Sequence, residues 1–396
     1  MFEVLPALPA DPILGLSAAF KEDTNPKKID LGVGVYKDEN GNTPILESVI
    51  KAQRLLLDSE TTKTYIAPQG VAGFLTGMKA LLFGASHPAV TEDRITAVQT
   101  PGGTGALRLL AELIARGNPD ATVWVSDPTW ANHIPIFETA GLRIEKYPYF
   151  DKASRGIRFD AMMETLNSVK KNDIVLLHGC CHNPTGQDLN QTQWQAVLEA
   201  AQKTGFIPFI DVAYQGFGDG LDEDAYGIRL LSENLPEMIL SASCSKNFGL
   251  YRERTGMACV VTNSNATRQS LQTQIQSVAR ANYSMPPSWG AAIVDIILND
   301  EQLKALWQSE VTDMRTRMKS LRAMLVQKLK DKGASMDFDF VNSQKGMFSF
   351  LCISPEQVKK MRADSAVYFV DSSRVNIAGI SQSNVDDLAE ALVKIL

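Results

Sequence analysis

The 396-residue sequence predicts an α/β protein with a large domain around a mostly parallel central sheet and a small α+β domain. Two patterns carry this. In the middle of the chain, short all-apolar runs alternate with helix-length segments, and each run ends in polar or ionisable residues. In the last third, one long apolar repeat at helical spacing gives way to two short strand-like runs. Composition agrees: 44% hydrophobic and 21% charged residues are ordinary for a globular chain and exclude a disordered tract, a collagen or a rod.

Taken in order, Val123–Val125 ends at Asp127-Pro128 and Ile174–Leu177 ends at His182-Asn183-Pro184. Phe206–Ile210 ends at Asp211, and Met238–Leu240 runs into Ser243-Cys244-Ser245-Lys246. Apolar runs without alternation suit strands buried on both faces. Leu189 to Thr204 is one of the intervening helices. Open α/β sheets place ligands beyond the strand ends, where these polar residues cluster. Further on, Leu303, Trp307, Val311, Met314, Met318, Leu321 and Leu325 predict one long amphipathic helix closed by Gly333. Phe348–Leu351 and Tyr368–Val370 read as strands. Ser354-Pro355-Glu356-Gln357 reads as a helix start, with Ser as cap and Gln three residues on. Val385, Leu388 and Leu392 mark a terminal helix.

The net charge of −6 argues against a broad nucleic-acid surface. The five cysteines are odd in number, and no Cys-x-x-Cys occurs. They suit reduced thiols and a cytoplasmic setting, not a disulfide framework or a zinc site. Neither a signal peptide nor an apolar run long enough to span a membrane is expected.

Four segments carry chemistry. Lys246, soon after a buried strand and next to Ser245, suits a Schiff-base amine, although on these residues alone a lysine reaching solvent from a strand end is the commoner reading. Arg254 follows eight residues later. Thr100-Pro101-Gly102-Gly103-Thr104-Gly105 opens a helix to about Arg116, and its backbone N–H groups suit an anion, although a plain glycine turn reads the same. Asp211 and Tyr214 pair an acid with a phenol at a strand end, where a turn aspartate is the commoner fate. His178, Cys180, Cys181 and His182 are dense in metal-binding types, but alternate strand residues face opposite ways, so no metal is expected.

In this order, on this sheet pattern, the four segments resemble the class I (fold type I) pyridoxal-phosphate-dependent aminotransferases, and within them the aspartate/aromatic amino-acid aminotransferase subgroup. The resemblance spans the chain, from Asp11-Pro12-Ile13-Leu14-Gly15-Leu16 and Gly32-Val33-Gly34-Val35-Tyr36 through Ser126-Asp127-Pro128-Thr129-Trp130. It continues to Gly346-Met347-Phe348-Ser349 and Ser373-Arg374-Val375-Asn376.

The resemblance implies pyridoxal 5'-phosphate as cofactor, with Lys246 as its Schiff-base lysine and as the base that moves the Cα proton. Asp211 would pair with the ring nitrogen, and Tyr214 and Asn183 with the ring hydroxyl. Trp130 would stack on one ring face and Ala213 on the other. His133 would support Asp211, with His178 a second candidate for that task. Gly103, Thr104, Ser243, Ser245 and Arg254 would cup the phosphate, joined by Tyr65 of a neighbouring subunit in a homodimer with shared active sites. Arg374, helped by Asn183, Trp130 and Gly34, would clamp the substrate α-carboxylate. Arg280, again from the neighbour, would meet a distal carboxylate. Residues 44–310 would form the large domain. Residues 1–43, an arm with part of the small domain, and 311–396 would complete the molecule.

Val35, Lys37, Thr43 and Thr104 resemble the aspartate type. Met285 stands where that type commonly carries a polar residue, and methionine contacts rings well. The expectation is a broad enzyme for phenylalanine, tyrosine, tryptophan and aspartate, with 2-oxoglutarate as acceptor. The alternative is a strict aspartate aminotransferase. Other reactions of the same cofactor, or a nucleotide site at Gly102–Gly105, are the rivals.

Overall fold

The computed structural model describes residues 1–7 and 12–396. Asp11 of the N-terminal motif lies outside the described residues. Seven strands build the central sheet: β1 (Ile95–Pro101), β2 (Thr122–Asp127), β3 (Arg143–Pro148), β4 (Ile174–His178), β5 (Ile207–Val212), β6 (Met238–Ser243) and β7 (Thr255–Val261). Their spatial order is β1-β7-β6-β5-β4-β2-β3. All neighbours are parallel except β7, which runs antiparallel to both β1 and β6. The α/β expectation is borne out. The four apolar runs named from the sequence are β2, β4, β5 and β6.

These runs do not alternate because both faces are covered. Ile174, Leu176, Phe209 and Ile239 face one apolar cluster, with Leu107, Leu110 and Val278. Val175, Leu177, Ile210 and Leu240 face the other, with Trp194, Trp307 and Met318. Burying side chains of this size stabilises by about 1.5–3 kcal/mol each, which outweighs the low helix or strand propensity of any single residue.

Among the helices are α1 (Pro12–Glu22), α2 (Glu47–Ser59), α3 (Gly102–Gly117), α4 (Gln191–Thr204), α5 (Asn265–Asn282), α6 (Glu301–Asp331), α7 (Pro355–Ser365) and α8 (Val385–Ile395). α4 starts at an Asn190–Gln193 capping box, slightly later than the apolar pattern suggested. α6 buries the predicted stripe, and Gly333 follows its end at φ 70°. Ser354 and Gln357 form the expected box on α7. The run expected at Tyr368–Val370 pairs only at Val367–Tyr368, beside Ile29–Asp30. That pairing, with Phe348–Phe350 against Arg374–Asn376, ties the early segment to the C-terminal part.

No helix among the described residues is long and apolar enough to cross a membrane.

Candidate active site

Strand register lines up the first group. His178 on β4 is opposite Asp211 on β5, and Asp211 is opposite Ser241 on β6. Ser241 Oγ donates to Asp211 Oδ1 at 2.6 Å, and His133 Nε2 lies 3.2 Å from Oδ2. Burial pushes the Asp211 carboxyl up, but hydrogen bonds from His133 and Ser241 and the field of the imidazoles overturn that and leave it below its ordinary value. The group is therefore a buried carboxylate, held charged.

His178 does not bond to Asp211. Thr129 Oγ1 sits 2.8 Å from His133 Nδ1 and 3.1 Å from His178 Nε2, so any support from His178 passes through a hydroxyl. With His133 Nε2 against the carboxylate, the Thr129 hydroxyl bridges the two imidazoles. Burial, then the neighbouring His133, depresses His178 to about 3, so it stays neutral.

Beyond these strand ends lies a cleft of about 210 Å³. Asp211, Tyr214, Lys246, Asn183, Trp130, Gly34 and Arg374 all line it, as do Gly103, Thr104, Ser243, Ser245 and Arg254. Lys246 Nζ stands 5.0 Å from the Tyr214 ring centroid. Burial draws its amine down to about 8, against the pull of Asp211 and with that of Arg254 and Arg374. Burial pushes the Tyr214 phenol up, so it stays protonated.

One end of the cleft is built for a dianion. The N-terminus of α3 offers backbone N–H groups beside three hydroxyls and a guanidinium. A side chain at Gly102, whose φ is 72°, would run into the Arg254 guanidinium, so glycine leaves that arginine its place. At the other end, Arg374 donates to Asn183 Oδ1 at 3.4 Å and to the Gly32 carbonyl at 3.1 Å. Its buried Nε has no partner, a free donor at this end of the cleft.

Two predicted residues are elsewhere. Tyr65 is 91% exposed, and Arg280, on α5, is exposed too. Neither lines the cleft of this chain. Cys180, Cys181 and Asp224 approach one another closely, but the Asp224 carboxylate already accepts three backbone N–H groups, from Gly216, Gly218 and Asp219.

Sequence reasoning gave no role to Ser241 or to Phe348. The Phe348 ring lies 4.1 Å from the Arg374 guanidinium carbon. Ser241 was findable in principle, since it sits two residues before the end of β6 in register with Asp211. Phe348 belonged to a quoted motif, but only the packing of the C-terminal part brings it over Arg374.

A family model described as "Aminotransferase class I and II" matches residues 26–392. The aspartate aminotransferase of Escherichia coli (strain K12) is 46% identical over 396 residues, covering 100% of both chains. The aromatic-amino-acid aminotransferase of Pseudomonas aeruginosa is 46% identical over 394 residues, 100% of this chain and 98% of its own. The crystal structure of an aromatic-amino-acid aminotransferase from Burkholderia pseudomallei, covalently bound to pyridoxal phosphate, superposes with a TM-score of 0.98. It is 39% identical and covers 100% of this chain and 99% of that one. A buried amine, a charged carboxylate and an anion cradle around one cleft are what that chemistry needs, and the chain belongs to the class I and II aminotransferases.

Proposed function

We propose that this aminotransferase uses pyridoxal 5'-phosphate to transfer the amino group of aromatic amino acids and aspartate to 2-oxoglutarate. The observation that carries the reading is the convergence of Lys246, Asp211, Arg254 and Arg374 on one cleft. The residues fit the cofactor: the glycine-lined cradle suits its phosphate, and the charged Asp211 suits its ring nitrogen. When bound, the cofactor supplies an electron sink for charge left at the substrate Cα.

The residues do the rest. Arg374 holds the α-carboxylate through its fork and its unpaired Nε. Lys246 Nζ, with its amine near 8, is a base able to take the Cα proton close to neutral pH. Asp211 keeps a proton on the ring nitrogen, and His133 and Ser241 keep Asp211 charged. Tyr214 and Asn183 would hold the ring hydroxyl, and Trp130 and Ala213 would hold the ring from either side; all four line the cleft. His178, through Thr129, orients His133.

The active unit is a homodimer in which Tyr65 and Arg280 serve the neighbour's cleft. Their exposure here, with that of Ile45, Leu55 and Leu57, supports this reading. Residues 1–43 and 311–396 act as a small domain against 44–310. Five free thiols support a cytoplasmic setting.

Both relatives' names, aspartate and aromatic-amino-acid aminotransferase, agree with a broad substrate range. The partly buried Met285, five residues after Arg280, favours ring acceptance. The test is the visible spectrum of the loaded enzyme before and after phenylalanine alone, then aspartate alone. Rapid change with both supports the broad enzyme. Change with aspartate only leaves the strict aspartate enzyme, and change with neither rejects transamination.

A further inference from the structure

The segment 32–36 carries Gly34 into the cleft and is held from two sides. From the C-terminal part, Asn376 Nδ2 donates to the carbonyls of Val33 and Val35, each at 2.7 Å, and Arg374 holds the Gly32 carbonyl. From the large domain, the Tyr251 hydroxyl accepts from the Tyr36 N–H at 2.8 Å. The same residue's backbone carbonyl accepts from Arg254 Nη1 at 2.9 Å. Arg254 is held in the left-handed region at φ 52°, next to Gly102, with its guanidinium in the anion cradle. Tyr251 is thus bonded at one end to the cradle arginine and at the other to the substrate segment, 215 residues earlier in the chain.

We propose that Tyr251 is a positioning residue that couples the phosphate cradle to the substrate segment, so that filling the cradle fixes the backbone at Gly34 for the substrate carboxylate. The proposal rests on the function given above for its substrate half only. The coupling itself needs no turnover. Burial pushes the Tyr251 phenol up to about 12, so the hydroxyl is present over the working pH range. The backbone carbonyl that holds Arg254 survives Tyr251→Phe, whereas the bond to Tyr36 does not. The single-atom change therefore separates the two ends.

The test uses Y251F in two arms. In the loaded enzyme, Y251F should raise KM for aspartate about tenfold while kcat stays within about twofold, the loss expected for one hydrogen bond that orders the substrate side. A merely structural role would lower the active fraction, and so kcat, and leave KM alone. In the cofactor-free chain, the amide exchange of Tyr36 is followed with and without inorganic phosphate. Phosphate should slow it several-fold in the parent protein and leave it unchanged in Y251F, where exchange is already about tenfold faster. An unchanged KM in Y251F overturns the proposal whatever the exchange shows. Equal slowing by phosphate in both proteins overturns it as well. If the parent protein fails to transaminate, the function above falls, and the exchange arm alone still decides the coupling.

Discussion

His133 Nε2 lies 3.2 Å from Asp211 Oδ2, and the imidazole is fully buried against the carboxylate it serves. The hydrogen bond favours the charged carboxylate. His133→Ala removes it and leaves the Ser241 bond to oppose burial, which pushes the other way. The Asp211 pKa should rise, and the acidic limb of the kcat profile should move to higher pH. At neutral pH kcat should fall about tenfold, the usual range for losing a partner that orients a reacting group. A profile whose acidic limb stays in place would separate His133 from Asp211.

Lys246 gives a prediction on the alkaline side. Its folded pKa is lowered to about 8, so the amine is mostly protonated below that pH and free above it. The rate at which cofactor-free protein captures pyridoxal phosphate should therefore rise with pH through about 8. A midpoint near the ordinary lysine value of about 10.4 would mean that burial does not act on this amine. Lys246→Ala should abolish turnover and still bind the cofactor through the phosphate cradle.

The two arginines should separate by substrate. Arg374→Lys loses the fork and should lower kcat/KM about a hundredfold, roughly 3 kcal/mol, for phenylalanine and aspartate alike. Arg280→Ala should cost aspartate by a similar factor and spare phenylalanine, because only aspartate carries a distal carboxylate. Equal losses on both substrates in the Arg280 variant would remove it from the proposed distal site.

Stability gives a control that leaves the cleft untouched. Helix α2 follows Leu46, which has no capping side chain. Glu310 of α6 reaches across instead: Oε1 accepts from the Glu47 N–H at 2.5 Å, and Oε2 from the Ser48 N–H at 3.2 Å and hydroxyl at 2.5 Å. Glu310→Ala should cost about 1–2 kcal/mol, as loss of a helix cap does, and lower the thermal midpoint by a few degrees. Steady-state constants should not change.

Much of the cleft was legible because the chemistry sits at the ends of apolar runs. Asp211 closes a buried apolar run and Lys246 and Asn183 come shortly after one, and a burial pattern of that kind is written in the residues themselves. Strands β1 and β7 were not singled out, since Thr96, Gln99 and Thr100 interrupt the first and Thr255 and Gly256 open the second. The antiparallel course of β7 is a matter of pairing, which no local pattern records. Glu310 as a cap was invisible for the same reason, standing 263 residues from the N–H it accepts.

By itself the sequence determined which residues are available: one lysine next to a serine soon after a strand, one aspartate at a strand end, glycines opening a helix, and an arginine near the C-terminus. The lysine, the aspartate and the glycines follow from local hydrophobic pattern and turn chemistry, whereas the arginine was marked only by the resemblance of its motif. Only the tertiary structure decided what they do to one another. Arg374 meets Asn183 across 191 residues, and Tyr251 meets Tyr36 across 215. The lowered Lys246 amine and the charged, buried Asp211 exist only after packing, because desolvation and hydrogen bonding act through distance in space and not along the chain.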